Sequence, residues 1–275
     1  MKCFVRLTKY ITVLLLALTI GLAAGCNLSK EGVILAGSTS VQPYAEILAE
    51  EYHILYPEKV VDVQGGGSSA GIAAAESGTA DVGMSSRRLK ENEQGLWSVE
   101  IAKDGLAIIV HPENPIDDLS LTQVCDIYSG KVTNWREVGG RDAAIHIIAR
   151  EAGSGTRSAF MDLVMGEVRI SPRSIILSSN GAIRLLVSDD PSAVGFISSG
   201  LADHSVKSIS LDGVSPSREN IINGSYTLFR PFLFACNAPP TGETKAFIDF
   251  ILSSKGQQIL LKEGLIPAAE GEKFE

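Results

Sequence analysis

Aromatic side chains are scarce in this chain, at 6% of 275 residues, so its core must be built mainly from aliphatic groups. Charge is sparse too, at 20% against 45% hydrophobic residues, which excludes disorder for most of the length. Lysine and arginine form no run longer than the pair Arg87-Arg88, and 24 of them are set against 32 acidic residues, for a net charge of -8. A chain without a cationic stripe cannot neutralise a phosphate backbone, so nucleic acid is excluded as a partner class. With four cysteines, four histidines and no cluster at metal-ligand spacing, neither a metal nor a cofactor is expected. Glycine, in contrast, is abundant at 27 residues, so the chain turns tightly and often, as α/β proteins do.

The N-terminus reads as an export signal. Lys2, Arg6 and Lys9 form a basic region, Tyr10 to Leu22 is an apolar run of signal-peptide length, and Ala23-Ala24-Gly25 precede Cys26. The alternative, an uncleaved membrane helix, fits poorly with Gly21, Gly25 and the abrupt change to Asn27-Leu28-Ser29-Lys30. Small residues before a cysteine resemble a bacterial lipobox, although Leu22 stands four places before Cys26 where three is usual. The expectation is that residues 1–25 are removed and Cys26 is lipidated, tethering an exported domain to the outer face of the cytoplasmic membrane. Cleavage removes three cations and no carboxylate, so the mature chain is more acidic than -8. Cys125 and Cys236 then remain, either as buried free thiols, the first expectation, or as a pair.

From Glu31 onward, short aliphatic runs alternate with amphipathic segments. Val33–Ala36 and Val60–Val63 read as strands, Val41–Tyr56 as a helix stopped by Pro57, Ser69–Glu76 as a short helix, and Ala80–Gly83 as the approach to a third strand. This is a βαβαβ run of parallel character. Leu106–Val110 and Ile145–Ile148 read as strands, and Leu121–Tyr128 and Thr156–Met165 as helices of a second unit. Ala193–Ile197 follows as a strand, Tyr226–Cys236 as an apolar stretch interrupted by Arg230-Pro231, and Thr244–Leu252 and Gly256–Glu263 as helices. A mature chain of this length is large for one core, so two lobes are expected: residues 26–108 with 236–275, and residues 109–235.

One kind of turn occurs three times: Gly37-Ser38-Thr39-Ser40, Gly65-Gly66-Gly67-Ser68-Ser69 and Gly153-Ser154-Gly155-Thr156. Each lies between an expected strand and the N-terminus of an expected helix. Such positions present unpaired N–H groups, glycine admits close approach, and hydroxyls add neutral donors, which together describe an anion cradle. A single turn of this type is most simply a helix cap. Three of them at the carboxyl edge of an α/β sheet favour a ligand site. Arg150, three residues before the third turn, adds a guanidinium fork suited to an oxyanion.

These turns, with Ala80-Asp81-Val82-Gly83-Met84-Ser85-Ser86-Arg87, Lys103-Asp104-Gly105-Leu106-Ala107-Ile108-Ile109-Val110, Arg150 to Arg157 and Phe250 to Gln257, resemble the phosphate-binding protein of the high-affinity phosphate ABC transporter. The resemblance covers nearly the whole mature chain. It implies a two-lobed type 2 periplasmic-binding-protein fold, each lobe a mostly parallel sheet flanked by helices. It also implies a monomer that closes on inorganic phosphate and delivers it to membrane permease subunits. On the family's motif, Thr39, Ser40, Ser68, Arg150, Ser154, Gly155 and Thr156 stand at ligand positions.

One position departs from that motif. Where familiar members place a carboxylate that accepts the ligand's proton and repels sulfate, this chain has Ser86 followed by Arg87, both kept as ligand candidates. Asp104 is the replacement candidate for that carboxylate; alternatively it caps a turn with Gly105 or pairs with Arg87. Asp81, inside a strand, reads as structural.

A serine hydrolase is the rival from another class, because Gly67-Ser68-Ser69-Ala70-Gly71 satisfies G-x-S-x-G. It would need a histidine, and His111, His146 and His204 have no triad context beyond residue type. The same turn lacks the lysine of a nucleotide-binding loop. A surface phosphate sensor or adhesin of the same fold is a third possibility. The expectation is a binding protein and not an enzyme.

Overall fold

The structure is a computed structural model describing residues 32–268; the expected signal peptide and Cys26 lie outside the described residues. It opens with Val33–Gly37 (β1), Gln42–Leu55 (α1), Val61–Gly65 (β2), Ser68–Ser77 (α2), Val82–Ser85 (β3) and Trp97–Val110 (β4). There follow Asp118–Leu119 (β5), Leu121–Ser129 (α3), His146–Arg150 (β6), Gly155–Phe160 (α4), Ile175–Leu177 (β7), Asn180–Asp189 (α5) and Ala193–Ser198 (β8). The chain ends through Lys207–Ser208 (β9), Ser210–Leu211 (β10), Arg218–Ile222 (α6), Phe229–Cys236 (β11), Gly242–Leu252 (α7), Ser254–Lys262 (α8) and Ile266–Pro267 (β12).

The βαβαβ run is present: β1 lies parallel between β2 and β3, with Leu35 opposite both Val63 and Val82. Helix α1 starts with a proline in its first turn, where no N–H is needed, and buries Tyr44, Ala45, Leu48 and Tyr52 along one stripe. The strands follow one path, β2-β1-β3-β11-β4-β8-β6-β7, in which β6 is parallel to β7 and β8. The helix expected over Thr156–Met165 is divided into the six-residue α4 and a wider π turn at Met161–Met165.

Strand β4 joins the halves. Its residues 97–105 pair antiparallel with β11, and 106–110 pair antiparallel with β8. Only 106–110 is visible as a strand in the apolar pattern, because Glu100, Lys103 and Asp104 interrupt the first half. Pro231 is tolerated in β11 because β3 pairs only with Leu233–Ala235, leaving Pro231 a single neighbouring strand, and the ladder shifts register just beyond it.

Two main cores result. Leu35, Leu48, Val82, Ile101, Phe232 and Phe247 share one; Leu106, Ile108, Tyr128, Phe160, Phe196 and Leu228 share the other. Ala107 and Ile109, on the opposite face of β4, pack with Ile183 and Val187 in a smaller third cluster. The chain passes between the main cores at Ala102–Leu106 and at Leu228–Phe232.

Cys125, half-buried, and Cys236, buried, are free thiols. Burial pushes the Cys236 thiol up to about 12, so it stays protonated at neutral pH. Among the described residues no helix is long and apolar enough to cross a membrane.

Candidate functional site

The three glycine-serine turns, far apart in sequence, meet at the carboxyl ends of β1, β2 and β6. The Gly67 N–H donates to the Gly37 carbonyl at 2.9 Å and the Ser69 N–H to the Gly153 carbonyl at 3.1 Å, tying the second turn to the other two. Gly67 makes this possible with φ 89° and ψ 155°, a conformation closed to side chains.

Six hydroxyl residues converge there, Ser38, Ser40, Ser68, Ser86, Ser154 and Thr156, none more than 2% exposed. The Ser40 N–H donates to Ser38 Oγ at 3.2 Å, and Ser38 Oγ donates to Ser86 Oγ at 2.9 Å. The Ser86 N–H donates to Ser68 Oγ at 3.1 Å. Ser40 Oγ accepts from Asn180 Nδ2 at 2.7 Å and Arg230 Nη2 at 3.2 Å. Both its lone pairs are then taken, so its own proton goes to Thr156 Oγ1, 2.8 Å away, and the Thr156 hydroxyl keeps its hydrogen for another acceptor. Ser154 Oγ accepts the Arg157 N–H at 3.2 Å and caps α4. Gly155, the first residue of that helix, lies against Ser68 and Ser86 so tightly that a Cβ there would stand 2.2 and 2.6 Å from their Oγ atoms.

Arg150 ends β6 and is 1% exposed. Its Nε and Nη2 each donate to a Glu151 oxygen at 2.9 Å, and Nη2 reaches Thr39 Oγ1 and the Ser178 carbonyl, both at 3.1 Å. Arg87, expected on a ligand, closes on Glu93 through Nη1 and Nη2 at 2.7 and 2.8 Å, and touches the turns only at Ser69 Oγ, 3.5 Å away. The hydrogen bond from Arg87 holds the Glu93 carboxyl below its ordinary value. Its stabilising contribution is therefore full above the ordinary glutamate range and fades as pH falls through the depressed value. Glu93→Gln should lower stability at neutral pH by about 3 kcal/mol, as expected for halving a buried ion pair. Thermal melts against pH should also show a flatter acid limb in that variant.

Asp104 does not pair with Gly105 or Arg87. Its Oδ1 accepts from Ser198 Oγ at 2.7 Å, and its Oδ2 accepts from Arg230 Nε and Nη2 at 3.2 and 3.0 Å. Burial pushes this carboxyl up from its ordinary value, and the Arg230 guanidinium opposes the shift. The carboxylate expected to receive a ligand proton is thus already held at both oxygens. Asp81 accepts the Ile34 N–H at 2.9 Å within the sheet, a structural bond as its position suggests.

The site residues that sequence reasoning missed are Asn180, Ser198 and Arg230. Arg230 had a visible signal, an arginine inside an apolar stretch. Asn180 had none, since Ser178-Ser179-Asn180-Gly181 reads as a turn, yet Ser179 caps α5 there. The hydrolase reading finds no support in the geometry. His111 Nδ1 accepts the Glu113 N–H, His146 pairs with Asp190, and among the described residues no hydrogen bond joins a histidine to Ser68 or Ser69.

Three guanidiniums reach the turns, Arg230 at Ser40, Arg150 at Thr39 and Arg87 at Ser69, each fixed by its own carboxylate: Arg230 by Asp104, Arg150 by Glu151 and Arg87 by Glu93. Fixed donors around a locally balanced charge suit a small, desolvated tetrahedral oxyanion. Beside the cluster, a groove of about 970 Å³ opens between Lys103, Arg157, Phe229 and Arg230.

A family model described as a PBP superfamily domain matches residues 24–255. The phosphate-binding protein PstS of Borreliella burgdorferi is 30% identical over 94% of this chain and 98% of its own length. A solved structure of a putative phosphate ABC transporter substrate-binding protein from Clostridium perfringens, with bound phosphate, aligns with TM-score 0.84 and 45% identity over 86% of this chain and all of that one. An ABC-type phosphate transport receptor from Vibrio cholerae aligns at TM-score 0.72 and 40% identity, with the same coverage.

Proposed function

The chain belongs to the PBP superfamily, among its phosphate-binding members, and from that premise we propose that it captures inorganic phosphate and delivers it to the permease of an ABC transporter. The observation that carries this reading is the convergence of three glycine-serine turns and Arg150 on one buried cluster. Thr39, Ser40, Ser68, Ser86, Arg150, Ser154, the Gly155 N–H and Thr156 form the donor set, with Arg87 and Asp104 bracing it. Thr156 supports the assignment because the cluster's own bonds leave its hydroxyl hydrogen available for another acceptor.

The two cores act as lobes that close on the anion about β4 and β11, without covalent chemistry or a cofactor. The leader exports the chain, Cys26 carries the lipid anchor, and the domain works as a monomer on the outer face of the membrane. Competitive calorimetry with phosphate, sulfate, arsenate and molybdate tests the substrate. Phosphate should bind tightest, with arsenate next because it shares the protonated tetrahedral form. Tight sulfate or molybdate binding with none for phosphate would overturn the assignment.

A further inference from the structure

Arg230 sits on β11 directly opposite Asp104 of β4, at the point where the chain crosses between the cores. It is 2% exposed. Its Nε and Nη2 are hydrogen-bonded to Asp104, and Nη2 also donates to Ser40 Oγ, but Nη1 has no partner among the described residues. A buried guanidinium nitrogen without an acceptor is costly, and native structures rarely keep one without a purpose.

The direction of that nitrogen follows from the planar fork. The Nε/Nη2 edge faces Asp104, and the second hydrogen of Nη2 goes to Ser40, so the adjoining Nη1/Nη2 end of the fork faces Ser40. Ser40 in turn binds Thr156 and Asn180, which places the free end of the fork at the hydroxyl cluster. Arg150 reaches the adjacent residue, Thr39, from the other core. Burial lowers the Arg230 pKa, Asp104 opposes that shift, and charge repulsion from Arg150 adds a smaller downward push.

We propose that Arg230 is a second anion-binding arginine, donating from Nη1 to an oxygen of the bound tetrahedral anion opposite Arg150, and that Asp104 serves as its fixed counter-ion. This deepens the phosphate reading and rests on it. On this view the carboxylate at the crossing does not select the ligand by taking its proton. It holds a guanidinium flat against the site and keeps two like charges from repelling one another before the anion arrives. An anion of charge -2 between the two forks removes that repulsion, so Arg230 favours doubly charged over singly charged oxyanions.

The experiment must separate this role from a purely structural one, because removing Arg230 alone leaves Asp104 buried and uncompensated. The double variant Arg230→Gln with Asp104→Asn removes both charges while keeping hydrogen-bonding groups, and its thermal midpoint without ligand reports whether the fold survives. Calorimetry on it should show phosphate affinity reduced by at least about 30-fold, the loss that accompanies truncation of one buried charged contact. Arg230→Lys, which keeps the charge and lacks the fork, should lose affinity for phosphate and sulfate alike. Asp104→Asn alone should leave the phosphate-to-sulfate ratio unchanged.

Wild-type phosphate affinity in the double variant, or a ratio that shifts in Asp104→Asn, would overturn the proposal. The same series is titrated with sulfate. A wild-type protein binding sulfate and not phosphate would overturn the phosphate reading, while loss of sulfate binding in the double variant would still support the arginine. Binding of neither anion by the wild type overturns both.

Discussion

Gly155→Val should abolish tight phosphate binding while leaving the ligand-free fold intact. Gly155 opens α4 with an ordinary backbone conformation, so a β-branched residue is tolerated there in isolation. The obstacle is across the cleft, where Ser68 and Ser86 already occupy the space a Cβ needs, and Ser68 Cβ itself lies 3.1 Å from it. Rotating the serines away would break the bond between the Ser86 N–H and Ser68 Oγ, so the strain falls on the approach of the two cores. Overpacking of this kind costs about 3 kcal/mol, or roughly a hundredfold in affinity. Calorimetry should show that loss, and Gly155→Ala a smaller one. Neither tryptophan belongs to the cluster, Trp97 packing on the first core and Trp135 in the second, so closure is better followed by small-angle scattering than by fluorescence. Phosphate-induced compaction of Gly155→Val equal to wild type would refute this contact as a closing surface.

Arg150→Gln should weaken phosphate binding by a comparable or larger factor, between about 30-fold and several thousand-fold, the range for truncating a buried charge-assisted contact. Its cost to the ligand-free protein should be modest, because the partner left behind, Glu151, is 31% exposed and can be hydrated. The signature is thus a large change in affinity with a small change in melting temperature, and Arg150→Lys should recover little of the loss because an ammonium cannot replace a guanidinium whose Nε and Nη2 hold Glu151 while Nη2 also reaches Thr39 and Ser178. A large fall in ligand-free melting temperature would instead mark Arg150 as chiefly structural.

The three turns were legible because glycine and serine leave a local signature: each turn's chemistry is complete within five residues. The meeting of the first two follows from β1 and β2 being parallel neighbours, but the third ends β6, which belongs to the other core and runs opposite to β1, so its carboxyl end faces theirs only because β4 and β11 bring the two cores together. The crossings were harder. Strand β4 is a single element of fourteen residues, but its first half carries Glu100, Lys103 and Asp104, and a charge inside a strand looks like the end of the strand. Asp104 was singled out for its place near a crossing. Its partner could not be identified, because Arg230 is 126 residues away and only the β4–β11 register brings the two together. Arg87 shows the converse limit: its neighbour Glu93 is near in sequence, yet nothing in the pattern shows that a 3-10 turn at Glu91–Glu93 folds the carboxylate back onto the guanidinium.

The Asp104–Arg230 pair stands on two strands that carry the chain between the cores, beside the line about which the proposed closure would turn. A ligand seated beside a pivot moves its contacting atoms very little, while the rims of the lobes, at the far end of a long lever, sweep a large distance. Under the proposed closure, small displacements at the hydroxyl cluster would thereby be magnified into a change of outline on the surface. On the proposed closure, a permease would meet a different outline on the loaded protein than on the empty one, without touching the anion.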